Sequence, residues 1–414
     1  MRRHLSIVRI LAVMAVAIPT TIVVSLANAR PASTSTNVSA PSRRAAQALE
    51  SQGSTPSDSQ GTSTFVAPPT RDAWTRIVAP LATSFPRDHG NHADCRTEWW
   101  YLTGIATSTD GGARFGWQLT VFRLGLDATP RAENETRLVP KHVFAGHLAL
   151  VDLDTGRFLT AERVRREVPG LAESSALDMD VVLDGWSMRR GENDVLTARA
   201  VDRDAETSVA LTLTPKKPFV RHGAEGISVK GEGLGNASAY VSWTRLATAG
   251  TIGFAGKTYT VTGESWFDHE WGSTQLGTGV VGWNWFGLRL ADGRELMLYH
   301  LRQSDGSPTT ASSATLIERD GTTRHLTLSQ FDLRSTSTWT SPRSKAVYPS
   351  RWSLKVPSAG IDVTIGTQTP DCELDARLST GTVYWEGPVR VEGSVAGEGY
   401  GELTGYADSM SGRF

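Results

Sequence analysis

A chain of 414 residues is long enough for two or more domains, each with a sizeable core. Its 42 Lys and Arg residues offset 43 Asp and Glu residues, and the net charge of -1 argues against the broad positive surface typical of nucleic-acid binding. Thirteen Trp and forty Gly residues favour β structure filled with aromatic side chains and joined by tight turns.

The N-terminus has the organisation of a secretory signal peptide over residues 1–29. A basic start precedes a largely apolar run from residue 10 to residue 26, and Ala27 and Ala29 stand at the positions that a signal peptidase reads. An uncleaved membrane anchor is the alternative, because the apolar run is somewhat long, but Pro19 inside it favours cleavage. We therefore expect export, to the cell envelope, the periplasm or the medium, with no stable membrane span after cleavage.

Residues 30–70 are rich in Ser, Thr, Ala, Pro and Gln, with hardly an aromatic residue. Such a segment buries too little apolar surface to offset the entropy of ordering, so a disordered linker is predicted. Globular structure is expected to begin near Trp74. We predict an N-terminal domain over residues 71–248 and a C-terminal domain over residues 249–414.

The two cysteines, Cys95 and Cys372, fall one in each predicted domain. In an oxidising compartment a disulfide between them would tie the domains together. Two unpaired buried thiols are the alternative, and the sequence does not decide between them because it contains no Cα separation.

From residue 97 onward, short runs of alternating apolar and polar residues are separated by turn signals. Residues 97–106 and 114–123 flank an Asp-Gly-Gly turn and form the first predicted hairpin. The pattern continues to residue 214, and a second series starts at Gly250. Many short strands joined by hairpins predict an all-β fold, a sandwich or a barrel. Two antiparallel β-barrels are preferred, because closure removes exposed edges and leaves an apolar interior large enough for one ligand.

Two distant segments combine carboxyl groups with indole rings, which rarely cluster by chance because a buried acid needs a partner or stays protonated. The first segment spans residues 98–104. Since side chains alternate between the faces of a strand, Glu98 and Trp100 are predicted on one face and Trp99 and Tyr101 on the other.

The second segment spans residues 263–272, where Trp266 and Asp268 share a predicted face and His269 lies opposite. An acid flanked by indoles has little water around it, so its neutral form is favoured, as a general acid requires. In the alternative interpretation, Asp268 and Glu270 cap the turn by accepting hydrogen bonds from backbone N–H groups. The catalytic candidates are Asp268, His269 and Glu270.

The histidines offer weaker signals. His89 and His92 have a spacing that could bind zinc with nearby carboxylates. No His-Glu-x-x-His motif and no cysteine ligand set accompanies them, so we expect loop histidines bonded to carboxylates or backbone, and no metal. His142, His147 and His300 could each be a satisfied barrel histidine or part of a proton relay. The sequence has no Gly-x-Ser-x-Gly motif, no P-loop and no dinucleotide fingerprint in its βαβ context, so no cofactor is expected.

Several blocks of the sequence resemble, in the same order, motifs of the AttH-like, carotenoid 1,2-hydratase-related family. The blocks are residues 85–90, 98–104, 144–150, 266–272, 348–352, 384–387 and 399–406. The resemblance extends from roughly residue 74 to the end of the chain.

This resemblance implies two lipocalin-like barrels and an apolar substrate, often an isoprenoid or a polyketide. Members of the family include carotenoid and other hydratases and cofactor-free cyclases, and many relatives are labelled only as secreted hydrolases. The resemblance points to Asp268 as a proton donor, surrounded by His269, Trp266 and Tyr299. The exported N-terminus departs from carotenoid hydratases, which work at membranes, so a carotenoid is not the expected substrate.

The expected function is acid-catalysed addition of water to a lipophilic small molecule. A hydrolase of an ester-like bond and a non-catalytic carrier of an apolar ligand stay open as alternatives, as does the oligomeric state. The expected substrate-binding residues are Trp100, Tyr101, Trp266, Trp283, Trp285 and Tyr299.

Overall fold

The computed structural model describes residues 74–129, 139–224, 226–274 and 276–411. The predicted signal peptide at residues 1–29 and the predicted linker at residues 30–70 lie outside this part of the chain, so both stay predictions. No helix within the described ranges has the length and apolar character needed to cross a membrane.

The first half of the described chain forms a 13-stranded antiparallel sheet. Its strands are β1 Thr97–Ser108, β2 Arg114–Gly125, β3 His142–Asp152, β4 Phe158–Arg166, β5 Ala172–Ser174, β6 Asp180–Leu183, β7 Trp186–Arg190, β8 Leu196–Asp202, β9 Thr207–Pro215, β10 Val220–Arg221, β11 Ile227–Val229, β12 Ala237–Phe254 and β13 Lys257–Thr274. The order across the sheet is β4-β3-β2-β1-β13-β12-β9-β8-β7-β6-β5, with β10 and β11 paired to β12.

The second half forms a 10-stranded antiparallel sheet. Its strands are β14 Gly282–Leu290, β15 Glu295–Arg302, β16 Ser313–Ile317, β17 Thr323–Thr327, β18 Asp332–Thr340, β19 Val347–Val356, β20 Ile361–Thr367, β21 Glu373–Ala376, β22 Thr382–Gly393 and β23 Gly397–Thr404. Their order is β17-β16-β15-β14-β23-β22-β20-β19-β18, with β21 paired to β22. Short 3-10 helices lie at Arg87–His89, Glu192–Asp194, Leu328–Gln330 and Pro357–Ala359.

Both sheets curl into barrel-like units, and the predicted all-β fold with two lipocalin-like antiparallel barrels is confirmed. Each sheet encloses its own apolar core. Trp100, Trp117 and Trp186 fill the first interior, and Phe286 and Trp352 pack edge to face in the second. Large side chains thus occupy interiors that we expected to hold a ligand, and the pocket described below lies between the sheets.

The predicted boundary between residues 248 and 249 falls inside β12, and the first sheet continues to the end of β13. The predicted start of a second series of strands at Gly250 is wrong, because Gly250 lies within β12. Gly250 lies in mid-strand beside β9, where a Cβ atom would stand 2.2 Å from the carbonyl oxygen of Ala210. The turn comes later, at Ala255 and Gly256, which both have positive φ, as a tight hairpin of this kind requires.

A buried ionic network fixes the start of β1. Glu98 is fully buried and accepts hydrogen bonds from Nε of Arg123 (2.8 Å) and Nε2 of His269 (2.9 Å). Its Oε1 also lies 2.8 Å from Nδ1 of His92. Burial alone would raise the pKa of Glu98, but the Arg123 charge and the two imidazoles hold that pKa well below its ordinary value. The network joins the loop before β1 to β1, β2 and β13.

We expect Glu98→Gln to lower the free energy of unfolding by about 3–5 kcal/mol, because Arg123 would keep a buried charge without its carboxylate partner. Urea denaturation measures this loss. Asp332→Asn is the matched control, since Asp332 pairs with Arg334 on the surface and should contribute less than about 1 kcal/mol. Equal effects of the two substitutions would contradict a structural role for the network.

The two cysteines are free thiols, so the alternative of two buried unpaired residues holds and the disulfide does not form. Cys95 packs in a small cluster with Ile77 and Trp271, whereas Cys372 belongs to the core of the second sheet. Burial raises the pKa of Cys95 to about 12 and that of Cys372 still further. Both thiols are therefore held in the unreactive protonated form.

We expect a thiol reagent such as dithiobisnitrobenzoate to react with neither cysteine in the native protein over minutes. In urea, without reductant, it should titrate both Cys95 and Cys372. Two thiols that appear only after a reductant is added would instead reveal a bridge.

Candidate functional site

A pocket lies between the two sheets, on the faces that point away from their own cores. The first wall comes mainly from β1, β2 and β13 and includes Trp99, Tyr101, Gln118, Thr120, Asp268 and Glu270. The second wall comes from β14, β15, β22 and β23 and includes Trp283, Trp285, Tyr299, Tyr384, Glu386 and Glu402. Indole and phenol rings dominate both walls, with a few carboxyl groups set among them.

The register between β1 and β13 decides which groups reach this pocket. Tyr101 pairs directly with Asp268, and Trp100 pairs with His269. Because consecutive side chains point to opposite faces, Tyr101 and Asp268 face the pocket, while Trp100 and His269 face the other way. The alternation seen in the sequence therefore holds across the strand pair.

Most of the residues singled out from the sequence meet at this pocket. Asp268, Glu270, Tyr101, Trp283, Trp285 and Tyr299 line it. Trp266 is not part of the described lining, but it lies on β13 two residues before Asp268 and donates a hydrogen bond from Nε1 to Oδ1 over 2.5 Å. Their catalytic and binding roles stay predictions, but their grouping is a property of the fold.

Two of the proposed site residues lie on the opposite faces of their strands, away from the pocket. Trp100 is fully buried in the first core, and its Nε1 donates to the carbonyl of His89 over 3.2 Å. His269 is bonded to Glu98 in the ionic network. The physical reason is the two-residue period of a strand: Trp100 cannot share a face with Tyr101, nor His269 with Asp268.

Asp268 is buried and accepts hydrogen bonds from three side chains. Tyr240 donates its hydroxyl to Oδ2 over 2.7 Å, and Ser242 and Trp266 donate to Oδ1. These are side-chain contacts, so they differ from the expected alternative in which Asp268 caps a turn through backbone N–H groups. Burial raises the pKa of Asp268 to about 7, against the opposing effect of the three donors.

Behind Asp268 lies a histidine that the sequence analysis missed. His222 is fully buried, and its Nε2 lies 2.8 Å from the hydroxyl oxygen of Ser242. Burial lowers the pKa of His222 to about 3, so the ring is neutral. The hydroxyl proton of Ser242 goes to Asp268, so Nε2 of His222 carries the hydrogen and donates it to Ser242. Tyr240 and Ser242 are polar and two residues apart on β12, so they share a face. This spacing could have predicted a polar wall here from the sequence.

Glu270 does not cap a turn either. It accepts from the hydroxyl of Ser238 and pairs with Nζ of Lys230 at 3.0 Å. Lys230 also stands over the ring of Tyr299 at 4.2 Å. Burial would lower the pKa of Lys230, but Glu270 and the neighbouring groups raise it. The ammonium therefore stays charged, and its charge is balanced by Glu270 and by the ring of Tyr299.

The second wall carries two further carboxyl groups that the sequence analysis assigned no role. Burial raises the pKa of Glu402 to about 7, although Thr404 and Trp283 donate hydrogen bonds to it. Burial and the neighbouring Glu402 raise the pKa of Glu386 well above its ordinary value. The pocket is thus lined by acids whose neutral forms are favoured on both sides.

His147 supports this second wall from behind. Its Nδ1 lies 2.7 Å from the hydroxyl of Tyr384, and its Nε2 lies 2.9 Å from the hydroxyl of Ser379. Burial lowers the pKa of His147 to about 3, so the ring is neutral. His147 is therefore a hydrogen-bonded barrel histidine that holds Tyr384 in place.

Within the described ranges, His92, Glu98 and His269 bring three metal-binding atoms within 4.8 Å of one another. Glu98 already accepts from both imidazoles and from Arg123, whose positive charge would oppose a cation there. His89, whose spacing from His92 could have bound zinc, stacks on Trp243 at a ring distance of 4.7 Å. His92, Glu98 and His269 therefore belong to the structural ionic network described above.

Comparison with protein-family models matches the AttH-like family over residues 76–406. A solved AttH structure from Nitrosomonas europaea is 34% identical, with a TM-score of 0.72, and the match covers 80% of this chain and 99% of that chain. The chain belongs to the AttH-like family. The resemblance read from the sequence motifs is therefore confirmed.

A more distant structure shares the fold of this AttH-like chain. Kievitone hydratase from Nectria haematococca is 18% identical, with a TM-score of 0.59, and the match covers 82% of this chain and 98% of that chain. No curated protein matches the sequence significantly.

The raised pKa of Asp268 has a measurable effect on stability. Its folded pKa of about 7 lies above the ordinary value of 3.8, so the folded state binds a proton that the unfolded state releases between these values. Stability from this group is complete below pH 4 and is lost as the pH rises toward 7. Relative to Asp268→Asn, the wild-type protein should lose on the order of 4 kcal/mol across this range.

Urea denaturation of the wild type and Asp268→Asn at several pH values between 4 and 8 measures this difference. The offset caused by altered hydrogen bonds is independent of pH, so only the slope matters. A difference between the two proteins that stays constant with pH would show that Asp268 is ionised throughout.

Proposed function

We propose that this AttH-like protein is an enzyme that adds water across an alkene of a lipophilic substrate, with Asp268 as the proton donor. The observation that carries the proposal is a buried carboxyl group, with its pKa raised to about 7, in a pocket lined by indole and phenol rings. A general acid works best when its pKa is close to the operating pH, because both protonation states are then accessible.

In the first step, the proton of Asp268 passes to one alkene carbon, a C–H bond forms, and the other carbon becomes a cation. The ring faces of Trp99, Trp283 and Trp285 line the pocket and can stabilise this charge by roughly 1–2 kcal/mol each where water is excluded. This stabilisation arises only as the charge develops, so it lowers the barrier and leaves substrate binding unchanged.

In the second step, the oxygen of a water molecule bonds to the cationic carbon and the surplus proton leaves to a carboxylate. His269, a catalytic candidate from the sequence, faces away from the pocket and is bonded to Glu98. The Asp268 carboxylate left by the first step, Glu402 on the opposite wall and Glu270 on the same wall are the available acceptors, and return of a proton to Asp268 restores the acid for the next turnover. With a pKa of about 7, Glu402 is well suited to take a proton at neutral pH.

Relatives support the same reaction class. The chain shares its fold with kievitone hydratase, whose name identifies it as a hydratase. The N-terminal pattern of residues 1–29 further supports export, so we propose that the reaction takes place outside the cytoplasm.

Incubation of isoprenoid alkenes with the protein in ¹⁸O-labelled water tests the reaction. Hydration predicts one solvent oxygen in the product and, in deuterated water, one new carbon-bound deuterium. We expect Asp268→Asn to lower kcat by about 100-fold or more, because an amide N–H is far too weak an acid to protonate an alkene. Asp362→Asn, which changes an exposed carboxylate paired with Lys355, should leave kcat unchanged.

The other function classes give different outcomes in the same assay. A hydrolase would cleave a chromogenic ester in an Asp268-dependent reaction and leave the alkenes intact. A carrier would retain an apolar ligand in native mass spectrometry, with no conversion and no effect of Asp268→Asn. Either result would overturn hydration.

A further inference from the structure

Three buried polar atoms at the pocket have no hydrogen-bond partner among the described residues. They are Oη of Tyr101, Oε1 of Gln118 and Oε1 of Glu386. The three side chains expose no more than 6% of their surface. Since nearly all buried polar groups in proteins are hydrogen-bonded, three unpaired groups at one pocket call for a common explanation.

The three groups come together from both walls. Tyr101 pairs with Thr120 and Thr103 pairs with Gln118, so Tyr101 and Gln118 are diagonal neighbours on the same face of β1 and β2. Tyr101 and Glu386 are close enough for each to affect the pKa of the other, although no hydrogen bond with good geometry joins them. They therefore frame one region of the pocket.

The hydrogen-bonding capacity of this region is set by its surroundings. Nε2 of Gln118 donates to the hydroxyls of Thr120 (2.9 Å) and Tyr384 (3.4 Å), which leaves Oε1 as an acceptor. Burial and the neighbouring Glu402 raise the pKa of Glu386, which favours the protonated carboxyl, a group that can donate. Tyr101 can donate or accept. The region thus offers at least one acceptor and two donors.

Charge limits what can bind there. Lys230, the cation at this pocket, is already paired with Glu270 at 3.0 Å, so an anionic group would find no unpaired positive partner in the described lining. A cationic group would have to draw the proton from Glu386 in a buried setting. A neutral hydroxyl meets the requirement best, because it donates one hydrogen bond and accepts others.

We propose that Tyr101, Gln118 and Glu386 form a polar subsite that binds a neutral hydroxyl group of a lipophilic ligand. Tyr101 lies directly opposite Asp268 in the strand pair, so a hydroxyl bound here holds the apolar part of the ligand beside that acid. The orienting role rests on the proposed hydration, whereas hydroxyl binding does not. The predicted substrate class is an alkene that also carries an alcohol or phenol.

A matched series of probes tests the subsite. Geraniol has a hydroxyl, geranyl methyl ether can only accept, 2,6-dimethylocta-2,6-diene has neither function, and geranylamine is a cation at neutral pH. Titration followed by tryptophan fluorescence reports binding, because Trp99, Trp283 and Trp285 line the pocket. We expect geraniol to bind about tenfold more tightly than the hydrocarbon, with the ether in between and the amine weaker than the alcohol.

Variants then assign the effect to the subsite. Tyr101→Phe and Gln118→Met should each reduce the preference for geraniol while leaving the affinity for the hydrocarbon unchanged. Glu386→Gln should retain much of the preference, because an amide also donates and accepts. Thermal unfolding of each variant confirms that it is folded.

Asp268→Asn separates this proposal from the proposed function. Its preference for geraniol should persist, whatever happens to turnover. If hydration fails but the alcohol preference and its loss in Tyr101→Phe hold, the subsite stands. Affinities within twofold across the alcohol, ether and hydrocarbon would overturn it. So would tightest binding of the amine, or no binding of any of the four probes.

Discussion

The alternation of side chains along β1 and β13 is the constraint on which the site depends. These paired strands are covered on both sides, by the first core and by the second sheet. One set of residues, with Trp100 and His269, completes the barrel interior. The other set, with Tyr101 and Asp268, becomes a wall of the pocket. A shift of one residue in register would exchange the two sets, so the packing of the first core also fixes the chemistry of the pocket.

The sequence was sufficient for the all-β class and for some residues of both walls, because strand periodicity and the clustering of acids with indoles are local signals. It could not locate the pocket between the sheets, because that depends on which outer faces meet. His222 and Glu402 illustrate the limit. Neither stands out in its own segment, and its importance arises from burial in the folded chain beside the groups of the pocket. The boundary at residues 248 and 249 was misplaced because a glycine required by close strand packing looks like a break.

The pocket also shows how burial and hydrogen bonding compete at a carboxyl group. Asp268 accepts from Tyr240, Ser242 and Trp266, and such donors stabilise the ionised form. Loss of water works in the opposite direction and is the larger effect, so the pKa settles at about 7. The donors therefore tune the acid: with fewer of them, its pKa would rise further and the proton would be harder to release.

Glu98 shows what this tuning requires, because it lies on the neighbouring β1 strand and is just as buried as Asp268. Arg123 places a full positive charge against it, and its pKa falls well below the ordinary value. Lys230, a cation in the lining of the same pocket as Asp268, is paired with Glu270 at 3.0 Å. Two acids with similar burial on one strand pair thus have pKa values displaced in opposite directions. Glu98 has the positive charge of Arg123 beside it and is held as a structural anion. Asp268 has no such unshared cation and can keep a proton.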